Sequence, residues 1–246
     1  MHKSRFLCLA LSRREGGYCV AGIDIDGNCW IRPVCTRSHG ALTGSEITVF
    51  DQTTQRQRTM KPLDLVELSL HDPVGTIGQP ENWTLGQVLS GESPRVLCQA
   101  GDYDWLLAII KRFALASDSL DFLLGTPDKA VPHSEIEKAQ VKQSLCLIRP
   151  RNLTWVRSTK VNNAPRIEGS FNFGRFNTPY RLPLTDISWE KCLLEQTLNR
   201  QTLNAAESPG MDSKSEMLMT ISLGENFATT GCHYKLIAGV LIVPAI

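Results

Sequence analysis

Residues 144–182, SLCLIRPRNLTWVRSTKVNNAPRIEGSFNFGRFNTPYRL, decide the fold because four strand-like apolar runs follow one another there, separated by polar turns. Thr185 and Asp186 come next and are good helix caps, and the pattern after them predicts a helix to about Leu198. Two more strand-like runs, 217–223 and 234–243, complete the chain. Four strands, a helix and two strands is close to the order of a small Greek-key barrel of the OB type. SH3-like and split barrels would give similar patterns.

The first half has its own set of strands. The runs are 5–12, 18–24, 29–35 and 63–70, with a long loop around a short strand between residues 36 and 61. Asp26-Gly27-Asn28 favours a tight hairpin turn, so Asp24 and Asp26 are interpreted as turn residues rather than a catalytic pair. Residues 102–124 predict a helix with a kink near Ala116.

These patterns predict a mainly β protein with a few helices (α+β), built as two tandem OB-like small barrels. We expect an N-terminal barrel at 1–126, a polar, proline-containing linker at 127–143 and a C-terminal barrel at 144–246. The 246 residues, 42% of them apolar, suffice for ordinary hydrophobic cores. The eight cysteines are scattered, without a CxxC pair, so we expect reduced thiols, no metal and no cofactor. The apolar run after the N-terminus is too short for a signal peptide, which favours a cytoplasmic location.

Positive charge is concentrated in one part of the chain. Residues 142–181 hold eight Lys or Arg against one acid, Glu168, a local charge of +7 in a chain whose net charge is only +1. Aromatic residues are interleaved with these cations, and that combination suits a groove that holds phosphates and stacks bases. The alternative is that the rings fill a β core and the arginines form its solvated surface.

A W-x-R pattern occurs in both halves, as CWIRP at 29–33 and TWVRS at 154–158. Because strand side chains alternate between faces, each Trp shares a face with its Arg, and we expect Trp155 to be partly exposed with Val156 in the core. The alternative is that each Trp caps its barrel core. The predicted nucleic-acid-binding residues are Trp30, Arg32, Arg149, Arg151, Trp155, Arg157, Lys160, Arg166, Phe173, Arg175, Phe176 and Arg181.

Three functions remain open. The first is a nucleic-acid-binding adaptor or recognition subunit for single-stranded DNA or RNA. The second is a protein-interaction or sensor subunit of a larger complex, in which the acidic segment 61–141 and the long loops make the contacts. The third, a hydrolase or nuclease, is disfavoured because the sequence has no GxSxG, Walker, HExxH or dinucleotide-binding motif. We therefore expect a protein that is not an enzyme.

Several separated motifs resemble one family, the dual-OB-containing domain proteins of bacteria. The motifs are LCLALSRREGGYCVAGIDIDGNCWIRPV (7–34), QPENW (79–83), SLCLIRPRNLTWV (144–156), RLPLTDISW (181–189), ISLGENF (221–227) and CHYKLIAGVL (232–241). The resemblance implies two OB-like barrels in tandem and, for function, only a link to defence or mobile-element systems. In such a system the partner would be a nuclease, helicase or ATPase encoded nearby.

Overall fold

The computed structural model describes residues 2–37, 40–86, 94–99, 104–115, 123, 125–160, 162–197 and 200–245. Its strands in the first part of the chain are β1 (His2–Arg14), β2 (Gly17–Asp24), β3 (Cys29–Val34), β4 (Thr48–Asp51), β5 (Arg56–Thr59), β6 (Asp64–Pro73), β7 (Asn82–Leu85), β8 (Arg95–Gln99) and β9 (Ala114–Leu115). Those of the second part are β10 (Ala130–Pro132), β11 (Leu145–Ile148), β12 (Arg151–Thr159), β13 (Pro165–Asn172), β14 (Tyr180–Pro183), β15 (Thr202–Asn204), β16 (Ser215–Leu223) and β17 (Cys232–Pro244). The helices are α1 (Asp104–Phe113), α2 (His133–Ala139) and α3 (Ile187–Gln196).

The first barrel closes through five strands. β1 pairs with β2 and β2 with β3, both antiparallel, and β3 pairs with β7 in parallel. β7 then pairs with β6, and β6 returns to β1. A ring in which the third and fifth strands are parallel and the first meets the fourth is the Greek-key order of the OB fold. The hairpin of β4 and β5 lies between the third and fourth strands in sequence, and β8 joins it to β6.

The second barrel repeats this order. β11 and β12 act as one bent first strand, because β11 pairs with β16 while β12 pairs with β13 and β15. β13 pairs with β14, and a parallel bridge from Leu184 to Ile237 connects the end of β14 to β17. β17 pairs with β16, which completes the ring. Helix α3 lies between the third and fourth strands, and the Asp186 side chain caps it by accepting from the backbone N–H of Trp189 at 3.0 Å.

Each barrel encloses its own apolar core, and a third core lies between the barrels. The first strands of both barrels carry the sequence Leu-Cys-Leu, at 7–9 and 145–147. Cys8 and Cys146 belong to the interiors of their own barrels. The four leucines belong to the inter-barrel core, with the buried face of α1. We call these leucines the leucine strips; they hold the two barrels together.

The backbones of the two barrels approach each other closely at Gly239 on β17. A Cβ atom there would lie 2.3 Å from the carbonyl oxygen of Leu9 and 2.9 Å from the Cα of Ala10. Two hydrogen bonds support the same contact: Thr220 Oγ1 donates to Leu9 O at 3.0 Å, and the Arg13 N–H donates to Thr185 O at 3.0 Å. Glycine at 239 is therefore a requirement of the barrel contact.

The predicted fold class, a mainly β protein of two tandem OB-like barrels, is confirmed. The predicted helix at 102–124 is shorter than expected: α1 ends at Phe113, and Ala114 and Leu115 pair with β11 instead. The expected kink at Ala116 lies outside the described residues. Residues 127–143, predicted as a linker, contain β10 and α2, whereas the domain boundaries themselves stay a prediction.

No disulfide bond joins any two of the cysteines in the described residues. Burial raises the pKa of the Cys8 thiol well above its ordinary value, which keeps that thiol protonated. Within the described ranges, no helix has both the length and the apolar character that a membrane span requires.

Candidate functional site

OB barrels bind ligands on the face of the second and third strands and on the adjacent loops. In the second barrel this face is the outer side of β13 and β14. Ile167 and Leu182 point into the barrel, so Arg166, Glu168 and Arg181 lie on the outer side. We call this surface, with Arg151 and Arg175 at its end, the basic face.

Glu168 organises the cations of the basic face. Its carboxylate, only 4% exposed, accepts from Arg166 at 2.5 Å and from Arg181 at 2.8 Å. Arg151 donates to the carbonyl of Gly174 at 2.8 Å. Arg175 is exposed and has no hydrogen bond or ion pair within the described ranges. Two guanidinium groups therefore share one carboxylate, and two more lie at the end of the face, which leaves a positive surface whose arginines are partly held in place.

The aromatic residues predicted for this site are mostly in the core. Trp155 is fully buried, its Nε1 donates to Ser208 Oγ at 3.0 Å, and its ring stacks on Trp189 at 6.2 Å. Phe173 is also fully buried, and Phe176 packs partly buried against Tyr180. The expectation of a partly exposed Trp155 is therefore wrong. Trp155 and Phe173 cannot stack on a base, because neither ring has a face open to solvent.

The environment of Arg157 explains the error. Trp155 and Arg157 share a side of β12 as expected, but Arg157 is half-buried and donates to Leu194 O, so its charge does not mark a side that faces solvent. Leu153 and Trp155 point into the barrel, while Val156 is half-buried. The outward neighbour of Trp155 is thus Val156, opposite to the prediction.

The first W-x-R strand is buried as well. Trp30 is 5% exposed in the inter-barrel core and meets Phe113 edge to face at 6.2 Å. Arg32 is 2% exposed, and its Nη2 lies 3.2 Å from Glu81 Oε1 and donates to the hydroxyls of Ser144 and Ser222, both at 3.0 Å. The two W-x-R sequences lie on strands that are not equivalent. β3 is the third strand of the first barrel, whereas β12 is part of the first strand of the second barrel.

Three other predicted cations make local structural contacts. The hydrogen bond from Arg149 to Glu216 raises the pKa of that guanidinium. Arg157 donates to Leu194 O at 3.0 Å, near the end of α3. Lys160 lies 3.9 Å from Glu190. Each of these contacts fixes the side chain to the barrel rather than presenting it to a ligand.

A cleft of about 460 Å³ lies where the two barrels meet. The ligand-binding face of the first barrel forms one wall, through β1, β2 and β3 and the loops that follow β1 and β6. The loop between β16 and β17 of the second barrel forms the other wall. The residues that line the cleft include Arg13, Arg14, Arg32, Gln79, Phe227 and Tyr234. We call this space the inter-barrel cleft.

An ion pair crosses the inter-barrel cleft. Arg14 of the first barrel meets Glu225 of the second at 2.5 Å, and it also contacts Cys19 Sγ at 3.6 Å. Burial opposes the charge on Arg14, but these two partners more than offset it, so the pKa of Arg14 is raised. Arg14 therefore stays charged and links the two walls.

Of the cleft residues, sequence reasoning selected only Arg32, and for a different reason. Two signals were present: the turn RREGG at 13–17 carries two adjacent arginines, and the motif ISLGENF at 221–227 ends on an aromatic residue. Neither signal shows that the loops face each other, because they are some 200 residues apart in sequence. Within the described part of the chain, no three His, Cys, Asp or Glu side chains come together as metal ligands would.

One comparison with known proteins identifies a relationship. The family model described as the dual OB-containing domain matches residues 4–240, nearly the whole chain. No curated protein and no solved structure gives a significant match.

Proposed function

This chain belongs to the dual OB-containing domain family, and we propose that it binds single-stranded nucleic acid on the basic face of its second barrel. The observation that carries the proposal is the set of four arginines on this face: Arg166 and Arg181 share the buried carboxylate of Glu168, and Arg151 and Arg175 lie at the end of the face. This face is the one that OB barrels use for oligonucleotides. Guanidinium groups match phosphate oxygens in both charge and geometry.

The contacts would be to the backbone of the strand. β13 runs from Arg166 to Asn172 along the face, a length of about 20 Å, and OB folds cover about 4 to 16 nucleotides. Because Trp155 and Phe173 are buried, the basic face offers phosphate contacts and little base stacking. Binding to this face is thus expected to depend strongly on salt and weakly on base sequence.

We also propose that the protein acts as a non-catalytic adaptor or recognition subunit. A net charge of +1 with a local basic face favours one oriented strand over general coating of nucleic acid. The sequence contains none of the nucleophile, metal-binding or phosphate-loop motifs that catalysis would need. Cleavage or unwinding would then come from a partner, a nuclease, helicase or ATPase of a defence or mobile-element system.

Fluorescence anisotropy with a labelled thirty-nucleotide strand, as DNA and as RNA, tests the binding proposal. If four arginines neutralise four phosphates, log K should fall with log salt concentration with a slope of about −3. Arg175→Glu/Arg181→Glu should weaken binding at least tenfold and reduce the slope by about 1.4, since each lost phosphate contact on a single strand removes about 0.7. Arg175 is exposed, so its reversal should change the melting temperature little, whereas Arg181→Glu also removes a partner of the buried Glu168 and should lower the melting temperature, so binding is measured well below the melting temperature of the double variant.

Arg56→Glu is the matched control. Arg56 is an exposed arginine on β5 of the first barrel, so its reversal makes the same type of change away from the basic face. It should leave the affinity within about twofold of wild type, apart from the small long-range charge effect. Equal binding by the double variant and the control would reject the basic face as the site. Absence of binding by the wild type at 50 mM salt would favour the protein-interaction alternative.

A further inference from the structure

The inter-barrel cleft contains a buried donor without an acceptor. Arg32 uses Nη2 for Glu81, Ser144 and Ser222, but its Nη1 has no hydrogen-bond partner although the side chain is 3% exposed. Arg32 lines the cleft. Buried guanidinium groups are normally satisfied at both ends, so this donor marks a position where a ligand atom can accept a hydrogen bond.

The charge around Arg32 indicates the type of acceptor. Glu81 is 7% exposed and already compensates Arg32, and Glu225 compensates Arg14 across the cleft. A second buried carboxylate or phosphate at Arg32 would therefore bring an uncompensated negative charge out of water. An uncharged oxygen, such as a keto group, satisfies Nη1 without that cost.

An aromatic side chain stands at the rim of the cleft. Phe227 is 57% exposed, the highest value among the exposed large hydrophobic residues of the described chain, and it meets Tyr234 edge to face at 6.4 Å. Both rings line the cleft. An exposed phenylalanine beside a concave surface is a stacking platform for a flat ring.

The walls leave room for such a ring. Ala10 and Ala21 of the first barrel and Ala238 of the second line the cleft, and their small side chains take up little of its volume. A volume of about 460 Å³ lies within the range of small-molecule sites and exceeds that of one nucleobase.

The position of the cleft relates it to the basic face. The loop at 224–231, which carries Phe227, joins the fourth and fifth strands of the second barrel. In OB barrels this loop flanks the face that binds the strand. A strand on the basic face can therefore pass the loop and place one nucleotide at the cleft.

We infer that the inter-barrel cleft holds one unstacked, keto-bearing base, whose oxygen accepts from Arg32 Nη1 while its ring lies against Phe227. The inference rests on the proposed function for the source of that base, a strand held by the basic face. The base supplies stacking and one hydrogen bond, which the basic face lacks. The cleft thus gives a preference for thymine, uracil, cytosine or guanine over adenine, which has no keto oxygen.

Two strands of equal charge separate this inference from the proposed function. One is a thirty-nucleotide thymidine strand, and the other is a thirty-unit deoxyribose phosphate strand without bases. Wild type should bind the thymidine strand about tenfold more tightly, since stacking of one base on an aromatic residue contributes a factor of about 5 to 150. Phe227→Ala should abolish this difference and leave the salt slope unchanged. Arg175→Glu/Arg181→Glu should weaken both strands and keep their ratio.

Arg32 is tested together with Glu81, because removing one partner alone would leave a buried charge unpaired. Arg32→Met/Glu81→Gln removes both charges and should also abolish the preference for the thymidine strand. Ile77→Ala is the control, since Ile77 is similarly exposed at 55% but does not line the cleft. If the paired variant does not fold, Phe227→Ala alone tests whether the cleft holds a base.

Free nucleosides identify the atom that is recognised. Inosine and adenosine differ at the six position, where inosine has an oxygen and adenosine an amino group. By calorimetry, inosine should bind wild type at least tenfold more tightly than adenosine, and Phe227→Ala should bind neither. Equal binding of the two nucleosides would overturn the role of Arg32.

If wild type binds both thirty-unit strands equally and Phe227→Ala matches wild type, the cleft does not hold a base, although the basic face can still bind the strand. Absence of binding to either strand rejects the proposed function itself.

Discussion

Replacing Gly239 by alanine tests the contact between the barrels most directly. The added Cβ would lie 2.3 Å from Leu9 O, whereas an ordinary contact needs at least 3.4 Å, so β17 and β1 would have to separate by about 1 Å. Relief by a side-chain movement is not available, because the nearest atoms belong to the backbone of Leu9 and Ala10. A gap of that size loses a quarter to a half of the dispersion energy of each contact across it.

We expect Gly239→Ala to lower the free energy of unfolding by about 1 to 3 kcal/mol, the usual cost of overpacking. For a chain of this size, the melting temperature should fall by roughly 2 to 12 °C, measured by circular dichroism. Gly44→Ala is the control, because Gly44 has no positive φ and no atom within 4 Å of the added Cβ. It should be neutral or slightly stabilising. If both variants melt within about 0.5 kcal/mol of wild type, the close packing of β17 on β1 is refuted.

Two further predictions concern the second barrel. Trp155→Ala should cost about 3 to 5 kcal/mol of stability in urea denaturation, because the ring is fully buried and its Nε1 is bonded to Ser208; a change below 1 kcal/mol would show that the ring is not in the core. Asp186 provides a pH test: burial raises its pKa from 3.8 to about 6, against the opposing N–H donors of Trp189 and Val240. The folded state then binds the proton more tightly than the unfolded state, so this stabilising contribution is complete below about pH 4 and is lost as the pH rises through 6. Relative to Asp186→Asn, wild type should lose up to about 3 kcal/mol between about pH 4 and 7, and parallel stability curves for the two proteins would contradict the assignment.

The features predicted correctly from the sequence are local. Asp26-Gly27-Asn28 forms the expected turn, with Asn28 at a positive φ of 52°, and Asp26 pairs with Arg5 rather than with a substrate. The cap at Asp186 is equally local, since its oxygen bonds a backbone N–H three residues ahead. Short-range hydrogen bonding decides such features, and nearby residues in the sequence reveal it.

The incorrect predictions concern features that depend on contacts between residues far apart in the sequence. Arg32 is buried because its partners come from residues 81, 144 and 222, and no pattern around position 32 shows this. The face of Trp155 was assigned from Arg157 on the same side of the strand, but the partner of Arg157 is Leu194 O, which is 37 residues away in sequence. Helix α1 ends early because Ala114 and Leu115 are used in a sheet with β11. The excess of positive charge at 142–181 correctly marks an exposed surface at Arg175, because charged groups without buried partners remain in water.

The leucine strips affect how the protein can be handled. The two leucine strips bury each other. A chain cut between the barrels would therefore expose Leu7 and Leu9 on the N-terminal fragment and Leu145 and Leu147 on the C-terminal fragment to water. The exposed hydrophobic surface of such a fragment can cause it to aggregate and to adsorb non-specifically to columns and to labelled oligonucleotides. Binding of a probe to an isolated barrel would then reflect non-specific hydrophobic adsorption rather than specific recognition. Affinities are therefore interpretable only when they are measured with the intact chain.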